Sequence, residues 1–142
     1  MKIRRDFVDT EVGQLHFVAN DRAENGKATL VMIPQMSALE QIPLMEALGD
    51  RPMIALDPVG LGDSDPTPWD SPTMEDHAAA LLAALSALNV DRFDVYGSHF
   101  GARAATEMAV MASDRVAHLV LDGAGHLEET FRSELLENYA PP

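Results

Sequence analysis

Hydrophobic and polar positions alternate from residue 3 to residue 20 with a break at Val12-Gly13, and a period of two predicts a pair of short strands in a hairpin. The polar stretch from Asn20 to Lys27 contains a glycine and reads as a loop. The pattern then changes to short continuous apolar runs, which suit strands covered on both faces. These runs are Ala28 to Ile33, ended by Pro34, then Pro52 to Leu56, Phe93 to Tyr96, and Val116 to Leu121. Between them lie helical segments. Residues 37 to 48 form a helix that Pro43 delays or kinks, because a proline nitrogen has no hydrogen to donate. Thr73 with Glu75 and Asp76 opens a strong helix, TMEDHAAALLAALSALN, and Ala102 to Ala112 is alanine-rich and periodic. A last helix-like stretch, HLEETFRSELLENYA, closes the sequence. Strands alternating with helices imply crossover connections, so the expected fold is α/β, a mostly parallel sheet flanked by helices, with the hairpin adding antiparallel edge character.

Composition narrows the functional classes. An apolar share of 46% in 142 residues is enough for one sizeable core, which makes two domains unnecessary. With 10 Lys and Arg against 23 Asp and Glu, the net charge of -13 repels phosphate backbones, and no nucleic-acid partner is expected. The sequence has no cysteine, no pair of histidines with metal-ligand spacing and no run of membrane-spanning length. The expectation is therefore no metal, no membrane and no cofactor. The start, MKIRRDFVDTEVG, lacks the apolar core of a secretory signal, so a soluble cytoplasmic protein is the default.

The chemistry concentrates in FDVYGSHFGARAATEMAV. There Gly97-Ser98-His99-Phe100-Gly101 connects a predicted strand directly to a predicted helix. Such a connection strains the apex residue and tolerates only small neighbours two positions to either side. Gly97 and Gly101 meet this need and leave His99 at the apex.

The pentapeptide resembles the nucleophile elbow of the α/β-hydrolase family, Gly-x-nucleophile-x-Gly, and the resemblance runs along most of the chain. PMIALDPVGLGDSDPT is similar to that family's fourth strand and its Asp-x-x-Gly-x-Gly-x-Ser loop, matched by Asp57, Gly60, Gly62 and Ser64. The helix and strand before the elbow, and DRVAHLVLDG after it, are similar to the segments that flank it in the family. The resemblance implies an α/β-hydrolase fold truncated before its last strands, with residues 1 to 142 forming the N-terminal part of one domain. It also implies a hydrolase acting on a small ester-like or related carbonyl substrate in full-length form, and an isolated fragment that is inactive.

Two positions depart from the family. Histidine stands where serine, aspartate or cysteine is usual, and Ser98 is one residue off the apex, where its side chain should turn into neighbouring packing. His99 is thus read as a general base or, as the weaker alternative, a covalent nucleophile, since imidazole titrates near neutrality. The competing view is a binding protein that has lost serine-type catalysis. Secondly, Pro34-Gln35 replaces the family's His-Gly, leaving the N–H groups of Met36 and Phe100 as the expected oxyanion hole. Asp122, at a strand end, is the candidate acid, or else the cap of a turn before Gly123.

The remaining candidates carry less. His16 lies in the hairpin, His77 on a polar first turn, His118 inside a buried strand, and His126 just after a strand end, where it could line the cleft. Gly60-Leu61-Gly62 lacks the third glycine of a dinucleotide fingerprint, since Asp65 occupies its place. Trp69 reads as a packed loop anchor. The VAHLVL strand would be an uncovered sheet edge, and exposed apolar edges point to self-association.

Overall fold

The computed structural model describes residues 1–22 and 26–125, together with Ser133 and Glu137. Among the described residues six strands form one sheet in the order β1-β2-β4-β3-β5-β6. The hairpin is β1 (Ile3–Thr10) and β2 (Gly13–Asn20), paired antiparallel, and β2 also lies antiparallel to β4 (Met53–Leu56). Strands β3 (Thr29–Ile33), β5 (Phe93–Ser98) and β6 (Val116–Asp122) continue the sheet from β4 with every pairing parallel. This is the mixed α/β sheet that the hydrophobic pattern predicts.

Helices connect the strands from β3 onward. After β3, a 3-10 turn over Ala38–Gln41 leads into α1 (Ile42–Leu48), with Pro43 in its first turn, where a missing N–H costs no helical hydrogen bond. Helix α2 (Met74–Ala87) begins with a capping box in which the Thr73 hydroxyl accepts from Asp76 N–H and the Asp76 carboxylate accepts from Thr73 N–H. Helix α3 (Phe100–Met111) starts two residues before the alanine-rich run suggests, because the chain turns directly from β5 into it.

Alternation on the strands feeds two apolar layers. Leu15, Phe17, Val31, Ile33, Leu56 and Val95 pack with α2 and α3 on one face. On the other, Val18, Leu30, Met32, Met53 and Ala55 pack with Met45 of α1. Two expectations need correction. The β6 strand is not buried: Leu119, Val120 and Leu121 are 38%, 52% and 42% exposed, because among the described residues no strand lies beyond it. His118 accordingly leaves 79% of its side chain in solvent and pairs with Asp94 at 2.7 Å. His126 lies outside the described residues, and of the last expected helix only Ser133 and Glu137 are described, both helical. Among the described residues no helix is long and apolar enough to cross a membrane.

Candidate functional site

At the carboxyl end of β5 the backbone reverses sharply, and His99 takes φ 52° and ψ -108°, a conformation an L-residue adopts only under constraint. The constraint comes from close packing on both sides. A Cβ on Gly97 would come within 2.6 Å of the Gly101 carbonyl carbon, and one on Gly101 within 2.5 Å of the Ile33 carbonyl carbon. Glycine is thus required twice for α3 to start this close to the ends of β5 and β3. Ser98, 9% exposed, is buried, whereas His99 is exposed.

The imidazole of His99 lies over Gly123, just past the end of β6, where a Cβ would sit 2.8 Å from its Nδ1. The main chain ties these ends together, since His99 N–H donates to the Asp122 carbonyl at 2.8 Å. The Asp122 carboxylate, however, accepts from the Tyr96 hydroxyl at 2.9 Å. The two expected catalytic residues are therefore adjacent in backbone while the acid is engaged elsewhere. Burial, together with the hydrogen bond and charge of Asp122, pushes the Tyr96 phenol above its usual range.

Of the two expected N–H donors, Phe100 opens α3 and Met36 lies on the loop after β3, with 53% of its surface exposed. Contact of Gly101 with the Ile33 and Pro34 carbonyls brings that loop next to the turn. The cleft above the turn has a volume of about 330 Å³ and is lined by Met74, His99, Phe100, Arg103, Gly123 and Gly125.

One histidine departs from its sequence reading, and a second lies in the hairpin as expected but has a partner the sequence does not suggest. His77 is not on a polar face: it is 6% exposed, packed edge-on against Trp69 (5.8 Å between ring centres) and Phe100 (5.1 Å). Its Nδ1 is buried without a hydrogen-bond partner among the described residues. Burial, partly offset by the Asp76 charge, pulls its pKa below the ordinary value. His16 is fully buried, and its Nδ1 lies 2.8 Å from Asp57 Oδ2. Arg5 Nε, which can only donate, reaches His16 Nε2 at 3.3 Å, so the hydrogen that bonds Asp57 is on Nδ1.

Asp57, also fully buried, gathers the loops around this end of the sheet. Oδ2 accepts additionally from Asp63 N–H at 2.8 Å, Oδ1 accepts from Ala38 N–H, and Ser64 Oγ links the Asp57 carbonyl (2.9 Å) to His16 N–H (2.9 Å). One carboxylate thereby joins β2, the loop bearing Met36 and the Gly60–Ser64 loop. The loop motif pointed to Asp57, but nothing in the sequence indicated His16, whose partner is 41 residues away.

A mixed sheet in which a central parallel strand turns into a helix over a strained, exposed side chain fits an α/β-hydrolase architecture. The chain belongs to the alpha/beta hydrolase fold family, whose model matches residues 29–140. It is 35% identical over 125 residues to the 2-hydroxy-6-oxononadienedioate/2-hydroxy-6-oxononatrienedioate hydrolase of Paraburkholderia xenovorans, covering 82% of this chain and 42% of that protein. It thus spans less than half the length of that relative. Among solved structures, Cfl2 from Burkholderia cenocepacia superposes with a TM-score of 0.73 at 24% identity, over 95% of this chain and 49% of that one. The N-acyl homoserine lactonase AidH, bound to N-butanoyl homoserine, gives a TM-score of 0.74 at 22% identity, over 84% and 44%.

Proposed function

We propose that residues 1 to 142 are the N-terminal part of a single hydrolase domain whose nucleophile elbow carries His99, and that the whole protein cleaves a small ester-like or related carbonyl substrate. The observation that carries this reading is the backbone of His99. A strained φ of 52° held between two obligatory glycines aims an exposed imidazole over the cleft. Strain of this kind is retained where the surrounding packing over-determines it, and it gathers at functional sites. The relative whose name describes hydrolysis of an oxo-dienedioate supports a carbonyl substrate.

In this mechanism His99 takes a proton from water or from the substrate as general base. The N–H groups of Met36 and Phe100 stabilise the negative oxygen that develops on the attacked carbonyl. Asp122 would serve as the acid partner only after leaving Tyr96, and among the described residues the imidazole has no carboxylate partner. The 142-residue chain alone is accordingly expected to be inactive. The test compares hydrolysis of activated acyl esters by the whole protein and by its His99→Ala variant. A loss of at least about 100-fold is expected for removal of a general base, and equal rates would remove His99 from the mechanism.

The departure at the apex favours one competing reading, a binding protein on a hydrolase fold. His99→Ser distinguishes it, because new esterase activity in that variant would mean that only the nucleophile had been lost. Exposed Leu119, Val120 and Leu121 on β6 further support self-association through the sheet edge. Light scattering that returns a monomer mass at every accessible concentration would exclude it.

A further inference from the structure

Arg103 lies four residues beyond His99, one helical turn along α3, and both side chains line the same cleft of about 330 Å³. In a chain with 10 Lys and Arg against 23 Asp and Glu, this cleft contains an arginine and a histidine, and among the described residues that line it there is no carboxylate. Arg103 is exposed, and among the described residues nothing hydrogen-bonds or ion-pairs with it. Glu107, a turn further on, lines an adjoining hollow with Arg103 and Thr106, yet forms no ion pair with Arg103. Elsewhere the arginines that face carboxylates are engaged, Arg5 by Asp63 and Arg51 by Asp94. An exposed arginine with no partner among the described residues, beside Met74 and Phe100 in so acidic a protein, is arranged to take an acid from outside.

We propose that the cleft binds a small molecule carrying a carboxylate. Arg103 holds that group through the two parallel N–H donors of its guanidinium, and the ligand's carbon chain runs over Met74 and Phe100 toward His99. This deepens the reading of the turn as a substrate site and rests on it. The ligand thus carries its carboxylate at Arg103 and its other end over His99. Arg103 thereby selects an anionic substrate over a neutral one of equal shape.

The experiment uses the full 142-residue chain and observes the His99 ring by carbon–proton NMR, with its resonance assigned from the loss of that signal in His99→Gln. Adipate and its uncharged dimethyl ester are titrated at matched pH and ionic strength. Adipate should shift the His99 resonance saturably, and the diester should bind at least ten-fold more weakly. Arg103→Gln, at an exposed position that leaves the rest of the spectrum in place, should weaken adipate ten-fold or more, with Arg103→Lys intermediate. Equal responses to adipate and diester, no response to adipate, or unchanged adipate binding in Arg103→Gln would each overturn the proposal. The hydrolase reading is tested separately on neutral esters with His99→Ala, so either can fail while the other stands.

Discussion

At the scale of single residues, the site depends on side chains that are absent as much as on those present. Gly101 has no room for a methyl group against Ile33. Gly101→Ala should force α3 away from β3 and lower stability by about 1–3 kcal/mol, which thermal denaturation would register as a lower Tm. Asp57 is the opposite case, a fully buried carboxylate that accepts from His16 Nδ1 and from the N–H groups of Ala38 and Asp63. Asp57→Ala would leave these donors unpaired in the interior, and a loss of about 3–5 kcal/mol is expected. Denaturant unfolding that shows less than about 1 kcal/mol would mean that water replaces the carboxylate. The spacing of glycines made His99 legible as the apex, because backbone sterics are local. Arg103 was visible only as a basic residue in an alanine-rich helix, and its place in the cleft depended on the angle at which α3 leaves the turn.

Among the elements, the helix starts followed most directly from sequence. The Thr73 to Asp76 pair forms the capping box that acidic residues behind a threonine suggest. Thr73→Ala should cost about 1 kcal/mol, measurable as a shift in denaturation midpoint with unchanged m-value. Strand β6 shows the limit of such reading. Its apolar run is that of a covered strand, yet its exposure is decided by whatever lies beside it, and the run itself carries no information on neighbours. His77 differs from its sequence pattern for a related reason. A histidine beside two acids in a first turn looks solvated, but Trp69 and Phe100 close over it from segments eight residues before and 23 after.

For the whole molecule, those contacts make stability depend on pH. The folded-state pKa of His77 lies below its ordinary value of about 6.5, so folding favours the neutral ring. Its contribution is complete above pH 6.5 and is lost as the pH falls through the folded pKa. His77→Phe should therefore flatten the decline in Tm below that pH, and an unchanged acid limb would argue against a buried ring. Asp94 acts further into acid. Its burial opposes ionisation, but hydrogen bonds and charges from Arg51 and His118 outweigh this and hold its pKa below 3.8. Its stabilisation persists above that value and disappears as the pH drops through the lowered one. Tyr96, with its pKa raised above 10, acts at the alkaline end: its contribution is complete below that pH and declines as the pH climbs through the raised value.

Local sequence alone determined the strand and helix alternation, the α/β class, the late start of the helix that holds Pro43 in its first turn, and the apex at His99. Each follows from periodicity, capping or backbone sterics within a few residues of chain. Only the tertiary structure decided that Asp122 turns to Tyr96, that His16 and Asp57 tie two loops to β2, and that Arg103 shares a cleft with His99. Those pairings join residues far apart in the chain, or depend on the angles between packed elements, and neither quantity is written in the order of amino acids.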